Sequence, residues 1–403
     1  MGLIFKQDFH DDFASWLFAY IRTGGPEIGE MLQVAKAVGD GDDGDYYECW
    51  SDLGDRLVQD AENSLRKGNR ESARASLLKA TCAFGTSYHP IFGEPVDQRL
   101  LAGFTRQMAA FEKAMSLSPV PASSLRIPFE GRTMPGWLIP AKDHASETRP
   151  LIIFTNGYDG QLTDMYFASA VAASERGYHC LIFDGPGQGE MLYEHGVRLR
   201  PDWEVVVSAV LDFAIELPNI DTARIAISGW SLGGYLSPRA ASGDPRLAAC
   251  IADPGQISIA RSFSGFATKL GVPANQSGKL ADVDDAILAK LAAFVETDRR
   301  LHWSFVQRGF WVHGVQDLRS YLKAVEPYTL EGRIDMIRCP TLLVAAENDP
   351  LAANTAALFE QLNCPSTLIQ CTTAEGAGEH CEMRNRSLLN DRVLDWLDSV
   401  FSN

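Results

Sequence analysis

The sequence predicts an α/β fold: a mostly parallel eight-stranded sheet flanked by helices, with a helical domain before it and a helical insertion within it. Three observations carry this. Residues 1 to about 120 place apolar side chains at helical spacing. From residue 121 to 403, short apolar runs alternate with helical stretches, the pattern of parallel strands and their crossovers. Between 256 and about 335 that alternation stops and helical patterns alone remain, where a lid insertion is expected.

In the first region the clearest pattern is a helix pair. Trp50, Leu53, Leu57, Ala61 and Leu65 keep one helical face, Gly68-Asn69 makes a turn, and Ser72, Ala75, Leu78 and Ala80 resume on the next helix. No second copy follows at a fixed period, so a solenoid is not expected. Pro119-Val120-Pro121 marks the boundary. Beyond it, Leu125–Phe129 and Thr133–Pro140 form a predicted β-hairpin. Leu151–Thr155, Cys180–Phe183, Arg224–Ser228, Ala248–Ala252, Thr341–Ala345 and Thr367–Cys371 complete the eight strands.

Composition narrows the function classes. The 403 residues carry a net charge of −16 and no basic patch, which argues against a nucleic-acid partner. No apolar run is long enough for a membrane span, and the N-terminal residues lack the pattern of a secretory signal. A cytoplasmic protein acting on a small molecule is expected. The eight cysteines, without a CxxC pair, suit reduced thiols. The eight histidines show no metal-ligand spacing, so no metal and no cofactor are expected.

The chemistry centres on Gly229-Trp-Ser231-Leu-Gly233, between the strand Arg224–Ser228 and a helical stretch. A GxSxG sequence in that context is a nucleophile elbow, whose sharp turn needs small neighbours. A hydroxyl is a weak nucleophile and needs a base. His380, in the glycine-rich stretch Gly376-Ala-Gly378 and onward past the last strand, is the best placed. The imidazole in turn needs an acid to fix its tautomer. Asp349, past the penultimate strand and before Pro350, is that acid, with Glu347 as the alternative. Backbone N–H groups of Leu232 and of Tyr158, in the loop Asn156-Gly-Tyr-Asp-Gly160, are the expected oxyanion hole. Trp230 and Asp159 beside these loops, and His313 in the insertion, are candidates for substrate contact. Asp184-Gly-Pro-Gly-Gln-Gly-Glu190 lacks the Lys-Ser or Lys-Thr of a phosphate loop and is expected to be a rigid turn behind the site.

Taken together, Asn156–Gly160, Asp184–Glu190, Gly229–Gly234 and Gly378-Glu-His-Cys381, with Gly68-Asn-Arg-Glu-Ser-Ala-Arg74 in the helical region, resemble one branch of the α/β-hydrolases. That branch includes bacterial 2,6-dihydroxypseudooxynicotine hydrolase and the fungal yellowish-green-type hydrolases that shorten polyketide chains. The resemblance implies an α/β-hydrolase fold, hydrolysis of a carbon–carbon bond beside a ketone, an N-terminal cap over the site and, as in some members, a homodimer. It also implies an extra acidic residue past the strand after the nucleophile. No Glu stands between Ser231 and Glu296, and Asp253 is the nearest substitute. A carboxylesterase or lactonase, a non-hydrolytic member acting in secondary metabolism, and a ligand-binding pseudoenzyme are the competing readings; the intact Ser231, Asp349 and His380 set argues against the last.

Overall fold

The computed structural model describes residues 2–119, 121–262, 272 and 279–402. The N-terminal region is built from the α-helices Asp8–Ser15, Ile28–Val38, Asp43–Arg66, Arg70–Ser87 and Gln98–Ser116, with a 3-10 stretch at Trp16–Thr23. The longest starts at a capping box. Asp42 accepts from the Gly44 and Asp45 N–H groups, and Asp45 reaches back to the Asp42 N–H. Its buried Trp50, Leu53, Leu57 and Ala61 recur at the spacing the sequence shows. The partner helix buries Ala73, Leu77, Ala80 and Phe84. Ser72 and Ala75, expected on that face, are exposed. Serine and alanine bury too little apolar area to orient a helix, so Leu77 and Phe84 set its rotation.

All eight expected strands form, with their ends shifted by a few residues. They are β1 Ser123–Phe129, β2 Arg132–Ile139, β3 Arg149–Thr155, β4 His179–Phe183, β5 Ile220–Trp230, β6 Ala249–Asp253, β7 Thr341–Ala346 and β8 Ser366–Cys371. Their order is β1-β2-β4-β3-β5-β6-β7-β8. β1 and β2 pair antiparallel, as do β2 and β4, and the remaining pairs are parallel. Glu130 and Gly131 join the hairpin with φ of 45° and 76°. Two positive values match the twist of the flanking strands, and glycine takes one of them at no steric cost.

The central strands are buried on both faces, as parallel strands between helices must be. Leu151 and Ile153 of β3 join one apolar cluster, with Trp203 and Ile227. Ile152 and Phe154 join the other, with Trp50, Phe84 and Phe111 of the N-terminal helices. The N-terminal helices contribute to both clusters, with Tyr88, Leu100 and Phe104 in the first.

Between β6 and β7 the chain forms the helices Asp285–Thr297 and Leu318–Val325 and a π-helical stretch Trp303–Phe310. An antiparallel bridge, Ser258 to Thr329, closes the base of this insertion, so it is not purely helical. Residues 263–271 and 273–278 of it lie outside the described residues. No helix among the described residues is long and apolar enough to cross a membrane.

The helix Gly233–Ala241 leaves β5 close against the chain that follows β6. A Cβ added at Gly234 would sit 1.9 Å from the Pro254 carbonyl oxygen. That neighbour is backbone and cannot rotate away. Gly234→Ala is therefore expected to destabilise the protein by about 1–3 kcal/mol or more, the range for overpacking. A fall in the urea midpoint checks it; an unchanged midpoint would mean that the two segments separate freely.

Candidate active site

Ser231 follows β5 directly and has a φ of +55°. A residue with a Cβ rarely takes that conformation, and the strain of 1–3 kcal/mol persists only where the surroundings impose it. Here they do. A Cβ at Gly229 would lie 2.1 Å from the Gly233 carbonyl oxygen, and one at Gly233 would lie 2.7 Å from that of Thr155. Strand, turn and helix meet at backbone contact, and the serine side chain is pushed outward. The Gln256 side chain donates to the Ser231 carbonyl at 2.6 Å and holds the turn from the β6 side.

His380 follows β8 in a short 3-10 turn. Its Nε2 lies 3.0 Å from Ser231 Oγ, and its Nδ1 lies 2.7 Å from Asp349 Oδ2. Asp349 is nearly buried, and its other oxygen accepts from the Leu351 N–H at 2.9 Å. Backbone bonds tie the two loops together, with the Asn348 N–H donating to the Gly378 carbonyl at 2.7 Å. Burial by itself disfavours the charged imidazole. The charge and hydrogen bond of Asp349, with Asp253 and Asp159 farther off, outweigh it and hold the His380 pKa above its ordinary 6.5. Glu347, the alternative acid, is turned away and accepts from the Thr373 N–H at 2.7 Å.

The loop after β3 passes directly over Ser231. A Cβ at Gly157 would meet the Ser231 Cβ at 2.7 Å. Asn156 fixes this loop. Its Oδ1 accepts from the Gly157 N–H and the Trp230 indole, both at 2.7 Å, and its Nδ2 donates to the Gln161 carbonyl at 2.6 Å. Gln188, inside the segment expected to be only a turn, donates to the carbonyls of Asn156 and Gly157 at 2.9 and 3.0 Å. Tyr158 follows Gly157 in this loop, and Leu232 is the N-cap of the helix Gly233–Ala241 that follows Ser231. A helix N-terminus adds a partial positive charge there.

A cavity of about 460 Å³ opens onto Ser231, His380 and Asp349. Phe13 and Trp16 come to it from the N-terminal region, and Trp303 and Arg308 from the insertion. Among the tentative contact residues, Asp159 lines it and pairs with Arg308. The other three do not line it. Trp230 is buried, with its indole on Asn156. His313 bonds the Tyr158 hydroxyl, and burial, with Arg308 beside it, pushes its pKa down to about 3. Asp253 is buried and ion-paired to Arg386 at 2.7 Å. A paired, buried carboxylate has no free face for a substrate. Gln188, Gln256, Glu382 and Arg386 were missed by sequence reasoning. Gln188 alone had a signal, its place among the glycines of residues 184–190. Among the described residues, no group of His, Cys, Asp and Glu could hold a metal ion.

A parallel sheet carrying Ser, Asp and His in this order at its strand ends has the architecture of an α/β hydrolase. The chain belongs to the alpha/beta hydrolase family, whose model matches residues 152–390. It is 31% identical over 422 residues to the 20-hydroxy-prefusarin hydrolase FUS2 of Gibberella moniliformis, covering 100% of this chain and 99% of that one. It is 30% identical over 393 residues to the hydrolase LUC6 of a Fusarium species, covering 94% and 93%. The crystal structure of 2,6-dihydroxy-pseudo-oxynicotine hydrolase shares the fold with a TM-score of 0.69 at 23% identity, over 95% of each chain.

Glu382, two residues past His380, is fully buried. Burial first, and then the charge of Asp253, push its carboxyl well above the ordinary 4.5. Above that pH the unfolded chain releases this proton while the folded protein keeps it. The contribution of this group to stability is therefore lost as pH rises from 4.5 through its raised folded-state value. Relative to wild type, Glu382→Gln is expected to gain Tm between pH 5 and pH 8. Melting curves at the two values test this, and an equal difference at both would show that the carboxyl is ionised in the fold.

Proposed function

We propose that this hydrolase cleaves a carbon–carbon bond next to a ketone in a polyketide-like small molecule, through an acyl-enzyme on Ser231. The observation that carries the serine mechanism is the line from Asp349 through His380 to Ser231, at 2.7 and 3.0 Å, facing the cavity. The choice of bond is supported by the motif resemblance. The full-length similarity to a chain named as a 20-hydroxy-prefusarin hydrolase supports the substrate class. We read the enzyme as cytoplasmic, since its eight cysteines are free.

In this mechanism Ser231 Oγ adds to the ketone carbon as its proton passes to His380 Nε2. The new oxyanion rests on the Leu232 and Tyr158 N–H groups. Collapse expels a carbanion, a far poorer leaving group than an alkoxide. The substrate must spread that charge as an enolate or into an aromatic ring, and His380 returns the proton to carbon as the bond breaks. Water deprotonated by His380 then attacks the acyl-enzyme and releases a carboxylic acid and free Ser231. The aromatic wall from the N-terminal helices and the insertion suits a flat, apolar substrate body.

Ser231→Ala is expected to lower turnover by about 10³-fold or more, as removal of a triad member does. The bond is assigned by incubating the enzyme with an aryl β-diketone and with an ester of matching size, then identifying products by mass spectrometry. A carboxylic acid and a ketone from the diketone support the proposal. Turnover of the ester alone would make the enzyme an esterase.

A further inference from the structure

A buried ionic cluster that the proposed reaction does not use lies next to the catalytic loops, and Arg386 is its hub. Its Nη1 donates to Asp253 Oδ2 at 2.7 Å and to the Cys381 carbonyl at 2.8 Å. Its Nη2 donates to Ser169 Oγ at 3.1 Å, and its guanidinium lies 5.1 Å from the centre of the Trp230 ring. Trp230 immediately precedes Ser231, and Cys381 immediately follows His380. Asp253 ends β6, the strand paired with β5. One side chain thus grips the neighbours of both residues between which the proton moves.

The grip falls where the backbone is least able to hold itself. Cys381 and Glu382 have φ of 53° and 51°, a region disfavoured for both. The turn just past His380 is therefore strained, and Arg386 bonds the carbonyl inside it. A guanidinium suits this task because its rigid fork serves several acceptors at once.

We infer that Arg386 is a positioning residue: it fixes the Cys381–Glu382 turn so that His380 stays in line between Asp349 and Ser231, and it neutralises Asp253 at the end of β6. The inference rests on the reading of His380 as the base. The charged groups around His380 are Asp349 after β7, Asp253 at the end of β6 and Asp159 in the loop after β3. Arg308 pairs with Asp159, and Arg386 comes from the C-terminal helix Arg386–Phe401. Burial and the charge of Asp253 push the carboxyl of Glu382, two residues past His380, above its ordinary range.

The test uses the full chain and a fluorophosphonate probe, which needs no knowledge of the substrate. Its rate of attachment to Ser231 follows the fraction of deprotonated His380 and the alignment of the pair. The labelled peptide is confirmed by mass spectrometry. Arg386→Gln is expected to slow labelling about 10- to 100-fold, the cost of a displacement on the order of 1 Å, and Arg386→Lys to recover part of it. Asp253→Asn leaves the guanidinium uncompensated, which disfavours the imidazolium, so the pH midpoint of labelling moves down. The pair Asp253→Asn with Arg386→Gln removes both charges and returns the midpoint toward wild type. If Arg386→Gln fails to fold, the Asp253→Asn midpoint decides. Unchanged rates and midpoints, with only the Tm lowered, would make the cluster a packing feature and overturn the inference. Wild-type protein in which Ser231 takes no label would instead remove the triad reading itself, and the positioning role with it.

Discussion

The site depends on one steric constraint, the backbone contact around Ser231. Gly229, Gly233 and Gly234 each stand where a Cβ would meet a carbonyl oxygen at 2.7 Å or less. Only with that space empty can β5, the turn and the following helix close to contact distance. The φ of +55° at Ser231 is the consequence. It lifts the hydroxyl off the sheet and leaves the Leu232 N–H at the helix start. Gly157 extends the constraint to the neighbouring loop, since any side chain there would strike Ser231. The conformation of Ser231 is thus set by glycines on both sides of it in sequence and one in the neighbouring loop.

The cavity belongs to no single stretch of the chain. The N-terminal helices and the insertion hold each other across it. Trp303 donates its indole N–H to the His89 carbonyl at 2.8 Å and packs edge-on to Phe13, with ring centres 4.9 Å apart. Gln307 reaches the Phe92 carbonyl at 3.3 Å. Arg300 pairs with Asp12 at 2.6 Å nearer the surface, and Arg299 pairs with Asp43. Exposed ion pairs contribute little each, so the aromatic contacts and the indole bond do most of the fastening. The insertion also reaches the loop after β3. Arg308 lies 4.2 Å from the centre of the Tyr158 ring and pairs with Asp159, while His313 takes the Tyr158 hydroxyl. Any movement of the insertion is felt at Tyr158.

What could be read from the sequence follows from how local each signal is. The eight strands were legible because runs such as Leu151–Phe154 must be apolar on both faces. Ser231 was legible because its constraint is met by neighbours in sequence. His380 and Asp349 were legible as partners of Ser231 because each lies just past a strand end, where the loops bring the three together. The helix face carrying Ser72 and Ala75 was misjudged because small residues define a face poorly. Three of the four expected contact residues lie off the cavity for another reason. Trp230, His313 and Asp253 were chosen by position near the elbow or in the insertion. Their orientation is decided by partners far away in sequence, Asn156, Tyr158 and Arg386. Arg386 itself carries no motif, and nothing short of the fold brings it 133 residues back to Asp253.

Those distant partners explain how an acidic chain tunes a single histidine. Three carboxylates act on His380, those of Asp349, Asp253 and Asp159. All three favour the imidazolium, against the burial that disfavours it. Two of them carry their own arginine, Asp253 with Arg386 and Asp159 with Arg308. Among the described residues, Asp349 has no arginine or lysine within ion-pairing distance, and it is the one hydrogen-bonded to the ring. A buried ion pair returns little net stability, because desolvation offsets the attraction. Near the imidazole these two do something else. Each sets a positive charge against an outlying carboxylate, while Asp349 is fixed in direction along the Nδ1 bond. Against the cost of burial, the charge and hydrogen bond of Asp349 come first in raising the His380 pKa above its ordinary value, and the charges of Asp253 and Asp159 add to them.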